Sequence, residues 1–455
     1  MMTVKKTRRF EQMLSEKKSS FLKELFELLE FPTLSQDKKE AEKCVKWLVE
    51  KLKELRFKTK IIKIKNSNPF ILAEAGEGKR TLLIYDHYDV MPPGDLSLWK
   101  FLPFKPTIRN GRIFARGVAD NKGHLMLRIQ AIRIVEEILG KLPIKVKFLI
   151  EGEEELGSPH ISQLSTHYGF WWKNADLCLW ESGDINEDGT PRIFLGMKGI
   201  SYLLLSVKQG NKDIHSGFAS LVDSPVWRLV LALATMRNTE GEVLIDELNR
   251  LVKKPSSVEK RMLRTLNWDL DGMLRALGRK KFLGGRRNEV EVLRRHFYGL
   301  TCNICGISAG STNREELKTV LPCEAYAKID FRLVDGVDSG LVKNYVRKHL
   351  KKNGFSDIRV KELASLPVAK TDFQNKVFQI ALKIIEKSFG KKPMIIPYAK
   401  GSGPMYYIAS RFKIPCIQLG AQTLDSAIHG PNENISVDNY FKALRATIDL
   451  ILNLS

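Results

Sequence analysis

The sequence predicts an α/β domain that is interrupted by a separate α+β unit. Mostly apolar strands alternate with amphipathic helices at the start of the chain, and the same alternation returns near its end. Between these stretches the strands alternate apolar and polar residues, which is typical of a sheet with one exposed face. We therefore predict that residues 1–197 and 371–455 form the main domain and that residues 198–370 form the inserted unit.

The individual elements follow from hydrophobic periodicity and from the placement of capping residues, glycine and proline. In the first part we predict helices at 15–29, 36–55 and 124–139 and strands at 58–65, 70–75, 80–85, 144–150 and 177–180. In the inserted unit we predict strands at 200–208, 303–308, 324–333 and 358–363 and helices at 224–236 and 339–352, with a charged helical stretch at 242–298 that breaks at 284–287. In the last part we predict strands at 394–397 and 414–419 and a helix at 437–454.

The charge balance is strongly basic, with 74 Lys and Arg against 52 Asp and Glu and a formal net charge of +22. Such an excess can indicate a protein that binds nucleic acid. Here the basic residues spread along predicted helix faces, and aromatic residues do not interleave with them as they do in RNA or single-stranded DNA binders. We therefore expect no nucleic-acid partner.

Targeting signals and cysteine usage indicate the compartment. The basic N-terminus is not followed by an apolar segment, and no stretch has the length of a membrane span. The six cysteines are scattered without the spacing of a disulfide framework, which is typical of a reducing environment. We expect a cytoplasmic protein that does not contact a membrane.

An acidic turn at residues 151–158 follows the predicted buried strand at 144–150 and carries Glu151, Glu153, Glu154 and Glu155. Four carboxylates at the end of a buried strand repel one another and lose hydration, so a bound metal is the strongest candidate for their counter-charge. The alternative is a solvated acidic loop.

Other predicted strand or loop ends carry the side chains that a metal centre needs: His87, Asp89, Asp120, Glu181 and His429. Two histidines and three of the carboxylates suit a pair of borderline divalent ions such as zinc. A carboxylate such as Asp120 can bridge two ions. Asp89 lies two residues after His87, on the same side of an extended segment, where it can fix the tautomer of the imidazole.

Taken together, these motifs resemble the M20 family of dinuclear metallopeptidases. The resemblance is carried by His87-x-Asp89, Gly117-x-x-Asp120-x-Lys122-Gly123, Glu151-Gly152-x-Glu154-Glu155-x-Gly157-Ser158, Glu181 and His429, in this order. The family includes carboxypeptidases, carnosinase-type dipeptidases and N-acyl-amino-acid deacylases. The resemblance implies an α/β, zinc-exopeptidase-like (phosphorylase/hydrolase-like) catalytic domain with an inserted α+β lid that usually dimerises.

The resemblance also implies roles at the metal centre. Two divalent ions per subunit are expected, most often zinc, with cobalt or manganese as alternatives. The implied ligands are Asp120 as the bridge, His87 and Glu181 at one ion, and Glu155 and His429 at the other. Glu154 is then the general base that takes a proton from a metal-bridging water and returns it to the leaving amine.

Within the inserted unit, His215 matches the lid histidine of the family, which reaches the partner subunit's site and stabilises the oxyanion; the alternative is a histidine in a turn before a helix. Arg332 is similar to the arginine that holds a substrate carboxylate, or else is a surface arginine at a strand edge. Gly401 and Ser402 resemble the glycine-rich substrate loop, although glycine-rich turns are common.

The function that the resemblance implies is hydrolysis of the amide bond next to a free carboxylate in dipeptides or short peptides. An N-acyl-amino-acid deacylase with the same metal chemistry is the alternative. A protein that keeps the fold only for binding would have lost Glu154 or a ligand, and all are present. We expect a homodimer that forms through the lid, with His215 acting in trans.

Overall fold

The computed structural model describes residues 4–266, 268–399 and 401–454. The helices are α1 (Val4–Glu16), α2 (Lys18–Leu29), α3 (Lys38–Glu54), α4 (Lys122–Leu139), α5 (Ile161–Trp172), α6 (Pro225–Ala234), α7 (Asp246–Leu251), α8 (Ser257–Thr265), α9 (Leu270–Ala276), α10 (Glu289–Tyr298), α11 (Val342–Lys352), α12 (Lys376–Phe389), α13 (Ala409–Phe412) and α14 (Val437–Asn453). No described helix is long and apolar enough to span a membrane.

The strands alternate with these helices along most of the chain. They are β1 (Lys58–Ile62), β2 (Phe70–Ala75), β3 (Thr81–His87), β4 (Thr107–Arg109), β5 (Arg112–Phe114), β6 (Lys145–Glu151), β7 (Leu177–Trp180), β8 (Asp184–Ile185), β9 (Pro191–Phe194), β10 (Gly196–Met197), β11 (Gly199–Lys208), β12 (Ile214–His215), β13 (Thr301–Ala309), β14 (Val320–Leu321), β15 (Glu324–Leu333), β16 (Arg359–Leu366), β17 (Ala369–Lys370), β18 (Met394–Ile396), β19 (Cys416–Gln418) and β20 (Asn434–Ser436).

The chain divides into two compact units. The first covers the described parts of Met1–Gly196, Lys370–Ile396 and Pro404–Ser455, and the second covers those of Met197–Ala369 and Pro397–Gly403. The expected fold class is confirmed: an α/β unit is interrupted by an inserted α+β unit. The short segment 397–403 belongs to the second unit, whereas the sequence assigned it to the main domain.

The first unit is built on a six-stranded sheet in the order β1-β2-β6-β3-β7-β19. Strands β6, β3, β7 and β19 are parallel neighbours, while β1 and β2 pair antiparallel at one side. Strand β3 is apolar through its middle and buried along nearly its whole length, as expected for an internal strand of a parallel sheet. The parallel strands therefore end at one common edge of the sheet.

Helix α4 is the central helix of this unit. Most of its residues are buried, including Arg128 and Gln130, because it packs against β3, α2 and α14. It ends at Gly140, whose φ of +73° is the left-handed conformation that terminates many helices. The amino-terminal end of α4 follows directly after Asp120.

The second unit contains an antiparallel sheet in the order β13-β15-β11-β16. Alternate residues of β11, such as Leu203 and Leu205, are buried, and helices α6 and α11 pack on this apolar face. This is the half-exposed sheet that the alternation in the sequence predicts.

One prediction about the helices was wrong in part. The break predicted at 284–287 is confirmed by the turn at Gly284 (φ +69°), but the stretch 242–298 is interrupted further, at Pro255 among other places, and contains the short helices α7 to α10. The predicted helix at 15–29 is confirmed as α2, and a further helix, α1, which was not predicted, precedes it. Phe10 of α1 is fully buried, so one aromatic side chain anchors an otherwise highly charged helix.

Candidate active site

The carboxyl ends of three parallel strands bring the first chemical groups together. His87 is the last residue of β3, Glu151 is the last residue of β6, and Glu181 follows directly after β7. Because β3 lies between β6 and β7, these three residues meet at one edge of the sheet. Such an edge is where open α/β sheets bind their ligands.

Asp120 lies between two histidines. Its Oδ1 atom is 3.0 Å from Nε2 of His87, and its Oδ2 atom is 3.1 Å from Nε2 of His429. Asp120 stands in the loop before α4, and His429 stands in the loop before β20. The two oxygens of one carboxylate therefore face two different imidazoles, which is the arrangement of a bridging ligand.

Two further carboxylates complete the cluster. Oε2 of Glu155 is 3.0 Å from Nε2 of His429, and Oε2 of Glu181 is 3.5 Å from Nε2 of His87. That oxygen of Glu181 is buried and has no hydrogen-bond partner among the described residues. Ligand atoms of Asp120, Glu155 and His429 all lie within 4.8 Å of one another. A buried carboxylate oxygen without a donor, beside histidines and acids, fits a cation site.

Asp89 contacts both His87 and the acidic turn and so supports this cluster. Nδ1 of His87 is 3.1 Å from the backbone carbonyl oxygen of Asp89 and 3.3 Å from its Oδ1 atom, which leaves Nε2 of the imidazole free to face Asp120. The same carboxylate accepts hydrogen bonds from the backbone N–H groups of Glu154 and Glu155 and from the hydroxyl of Ser35. One residue, Asp89, thus fixes both the tautomer of a histidine and the position of the acidic turn.

Glu151 and Glu153 of the acidic turn are buried, which excludes the alternative of a solvated loop. Glu151 accepts hydrogen bonds from the hydroxyls of Tyr85 and Ser158, and Glu153 pairs with His160. At Gly152 a Cβ atom would lie 2.2 Å from the ring of Tyr88, so only glycine allows this close approach. The buried turn presents Glu154 and Glu155 to the cluster.

The crowding of acids shifts their pKa values upward. Burial raises the pKa of Glu154 to about 8, with contributions from the neighbouring carboxylates Asp120 and Glu155. Burial also raises the pKa of Glu155, and it raises the pKa of Glu181 well above its usual range. Burial without a counter-charge therefore favours the protonated form of these acids, and bound cations would replace those protons.

The neighbouring carboxylates also raise the pKa values of the two histidines. Hydrogen bonds to Asp120 and Glu155 raise the pKa of His429 to about 10. Burial alone would lower the pKa of His87, but hydrogen bonds to Asp120 and Asp89 outweigh it, so the pKa lies well above the usual value. The cluster is therefore a concentration of negative charge that favours positive partners.

The candidate residues of the lid lie in the second unit. His215 is exposed, and its Nδ1 atom accepts a hydrogen bond from the N–H group of Gly217 at 3.0 Å. Nη1 of Arg332 donates to the hydroxyl of Ser402 at 2.8 Å, and Nε of Arg332 is 3.4 Å from Oδ2 of Asp330. Gly401, beside Ser402, has open space where a side chain would stand.

The structure thus gathers the predicted residues in two sets. His87, Asp89, Asp120, Glu154, Glu155, Glu181 and His429 lie together in the first unit, and His215, Arg332, Gly401 and Ser402 lie in the second. His124 is buried, and its two ring nitrogens bond to Asn121 and to the N–H group of Ala421.

Two buried charged residues at the site were missed by the sequence reasoning. Arg128 of α4 pairs with Asp86 at 2.6 Å and donates to the carbonyl group of Trp180, so it ties together the ends of β3 and β7. Glu433 is fully buried next to the loop that carries Asp120. An arginine within the apolar part of α4 was the available signal for the first; Glu433 offered none beyond its place after His429.

Comparison with known proteins decides the family. The model of peptidase family M20/M25/M40 matches residues 83–453. The chain belongs to this family. As an M20 peptidase it is a hydrolase that acts on peptide bonds, and the matched range contains every residue of the acidic cluster.

Relatives of this M20 peptidase include dipeptidases and a carboxypeptidase. It is 27% identical over 402 residues to the β-Ala-His dipeptidase of Mus musculus, covering 85% of this chain and 80% of the relative. It is 25% identical to the Cys-Gly metallodipeptidase of Schizosaccharomyces pombe, covering 83% and 81%. The crystal structure of an M20 family metallo-carboxypeptidase from Sulfolobus solfataricus superposes with a TM-score of 0.88 at 32% identity, covering 95% and 99%.

Proposed function

We propose that this M20 peptidase uses two divalent metal ions to hydrolyse the amide bond next to the free carboxylate of dipeptides or short peptides. The observation that carries the proposal is the placement of Asp120, whose two oxygens face the Nε2 atoms of His87 and His429 at 3.0 and 3.1 Å. A carboxylate held between two imidazoles has little purpose in a non-catalytic core, because burying it costs free energy.

The ligands divide into two sets that share Asp120. His87 and Glu181 would hold one ion, and Glu155 and His429 would hold the other. Imidazole nitrogen with carboxylate oxygen is a donor set that suits zinc, and cobalt or manganese are the alternatives. When bound, such ions lower the pKa of water and polarise the scissile carbonyl group.

Glu154 and Glu155 are adjacent, but their surroundings support different roles. Glu155 has one carboxylate oxygen near His429 and accepts a hydrogen bond from the N–H group of Met91 with the other. The carboxylate of Glu154 makes no hydrogen bond to any described residue. Glu154 is therefore free to take a proton from the attacking water and to return it to the leaving amine.

The lid residues supply recognition of the substrate. The guanidinium of Arg332 is oriented by Asp330 and Ser402, and a planar fork of N–H donors matches a carboxylate. The relatives named for β-Ala-His and Cys-Gly act on dipeptides with different side chains. What such dipeptides share is a free α-carboxylate, so recognition of that group by Arg332 fits this range of substrates.

A substrate panel tests the function. The metal-loaded protein is expected to hydrolyse dipeptides with a free carboxylate and to lose that activity when a chelator removes the ions. Dipeptides with a C-terminal amide should react with a kcat/KM about tenfold to a hundredfold lower, since a hydrogen bond to a charged group is lost. Turnover of N-acetyl or N-succinyl amino acids, with no hydrolysis of any peptide, would identify a deacylase instead.

Arg332→Met separates recognition of the carboxylate from catalysis. The variant should hydrolyse the free acid and the amide of one dipeptide at similar rates, because the group that distinguishes them is gone. Lys343→Met, in the second unit on α11, is the matched control and should keep the preference of the wild type. If Arg332→Met still prefers the free acid by the wild-type factor, another residue binds the carboxylate.

The homodimer is also part of the proposal, and the surface of the second unit supports it. Strand β13 is an edge strand of its sheet, with Ile304 and Ile307 about half exposed. Both line a groove together with Val230 of α6, and Trp227 of the same helix is 64% exposed. An unpaired apolar edge beside an exposed tryptophan suits a second copy of the same strand and helix related by a two-fold axis.

Ile304→Lys is expected to convert the dimer to a monomer, because a charge would be buried between the two edge strands. Ile61→Lys is the control, since Ile61 is 42% exposed on β1, the edge strand of the first unit. Analytical ultracentrifugation measures both masses. A wild-type protein that is monomeric at micromolar concentration, or an Ile304→Lys protein that stays dimeric, would contradict this interface.

We also propose a cytoplasmic location. All six cysteines are free in the structure. Unpaired thiols in this number are typical of proteins from a reducing compartment.

A further inference from the structure

The two histidines of the cluster are held in different ways. His87 is completely buried, and its Nδ1 atom is close to Asp89. The side chain of His429 is 50% exposed, so packing does not restrict its imidazole. Its backbone φ is +63°, a conformation that residues other than glycine rarely adopt and that persists only where surrounding contacts enforce it.

The contacts that enforce this conformation come from an ion pair that is buried below the loop. Nη1 of Arg116 is 2.6 Å from Oε2 of Glu433, and Arg116 and Glu433 are at most 1% exposed. Nη2 of the same arginine donates to the backbone carbonyl group of His429 at 3.2 Å and to that of Pro92 at 3.3 Å. The guanidinium thus holds the backbone of His429, a proposed ligand, by a hydrogen bond.

The carboxylate of Glu433 binds the backbone of a second segment, residues 117–120, which carries Asp120. Its Oε2 atom accepts a hydrogen bond from the N–H group of Gly117 at 3.0 Å. Its Oε1 atom accepts hydrogen bonds from the N–H groups of Ala119 and Asp120 at 2.8 and 3.0 Å. Together with Arg116, four donors converge on one buried carboxylate, and one of them is the backbone of the proposed bridging ligand.

We propose that Glu433 and Arg116 are positioning residues that build the metal site of Asp120, Glu155 and His429, while the site of His87 and Glu181 is held by burial and by Asp89. The inference rests on the proposed two-metal function. Neither residue faces the reacting groups. They act by fixing the two loops whose side chains, Asp120 and His429, must meet at one ion.

Glu433→Gln tests the proposal. The amide has the same shape as the carboxylate, but its NH2 group replaces one acceptor oxygen and would face the N–H donors that this oxygen binds in the wild type. After dialysis against metal-free buffer and titration with zinc, the variant should bind one ion nearly as tightly as the wild type, because burial and Asp89 still hold His87 although Asp120 is shared by both sites. The second ion should bind about 10- to 100-fold more weakly, as expected when an outer contact of a ligand is lost. Excess zinc should restore part of the activity of the variant but should not raise that of the wild type.

Glu24→Gln is the matched control. Glu24 is also a buried carboxylate of the first unit and pairs with Arg133 at 2.9 Å, but it bonds to neither loop. This variant should bind two ions like the wild type. Circular dichroism and thermal melts of the metal-free proteins report whether each variant folds.

Arg116→Lys is the second variant in case Glu433→Gln does not fold. It keeps the buried charge, but a single ammonium group cannot reach both Glu433 and the carbonyl group of His429, so the second ion should again be weakened. Wild-type affinity for both ions in a folded Glu433→Gln or Arg116→Lys protein would overturn the inference. A wild-type protein that binds fewer than two ions would instead refute the proposed two-metal site.

Discussion

Glu154→Gln is expected to lower kcat by about 10²- to 10⁴-fold, the contribution of a positioned general base, while two metal ions stay bound. The amide keeps the shape of the side chain but cannot accept the proton of the attacking water. The carboxylate of Glu154 bonds to no described residue, so its replacement leaves the positions of the ligands unchanged. Single-turnover kinetics on a dipeptide, with metal content measured on the same sample, gives both numbers.

Glu155→Gln is the matched comparison on the same turn. Its backbone N–H group bonds to Asp89 as that of Glu154 does, and neither substitution removes this backbone hydrogen bond. Oε2 of Glu155, however, is 3.0 Å from His429, and this variant should lose one ion together with its activity. If Glu154→Gln loses the ion and Glu155→Gln keeps both, the two glutamates have been assigned in reverse.

The main sheet could be predicted because each of its central strands is encoded by a local run of apolar residues. The predicted strand at 70–75 is confirmed as β2, and the apolar run at 80–85 is confirmed as β3, the strand that ends in His87. Burial on both faces requires a continuous apolar run, and such a run is visible without knowledge of its neighbours. The acidic turn after β6 stood out for the same reason, since it begins where an apolar strand ends.

The helices of the lid were harder to predict, because no apolar run defines them. Residues 242–298 are rich in charged helix-forming residues, so propensity favoured a long helical stretch with a single break at 284–287. The chain instead breaks after α7, ahead of Pro255, and α8 then starts at a capping box formed by Ser256 and Glu259. Tertiary packing decides where such short helices lie, and propensity carries no information about it.

The groups that support the proposed ligands could not be predicted from sequence spacing. Arg116 and Glu433 are 317 residues apart in the sequence, and Arg128 and Asp86 are 42 apart. Some charged residues are buried because they pair with a residue that is distant in the sequence. The local sequence around such a residue does not distinguish it from an exposed surface residue. The ligand types were visible because they cluster at strand ends, whereas their supports are defined only by the folded chain.

His215→Ala is expected to lower kcat by about 10²- to 10³-fold, the usual cost of removing one oxyanion donor. Nδ1 of His215 accepts the hydrogen bond of Gly217, so the imidazole proton is on Nε2. That N–H group has no partner among the described residues and can donate to the oxygen of the reacting carbonyl group. The KM for a dipeptide should change much less than kcat, because the donor acts on charge that develops in the transition state.

A dimer made of one His215→Ala chain and one Glu154→Gln chain determines whether the histidine acts in trans. Co-expression with two different tags allows this mixed dimer to be purified. If His215 serves the partner's site, one of its two sites has both groups, and the mixed dimer should show about half the wild-type kcat. If His215 serves its own site, each site lacks one group and the mixed dimer stays as inactive as its parents.

The reciprocal dimer gives the opposite result and therefore controls for the purification. It joins a wild-type chain to a chain that carries both Glu154→Gln and His215→Ala. Action in trans leaves the wild-type site without its histidine and the other site without its base, so almost no activity is expected. Action within one chain would leave about half the wild-type activity. Only action in trans makes the first mixed dimer active and the second inactive, which neither partial unfolding nor subunit exchange can imitate.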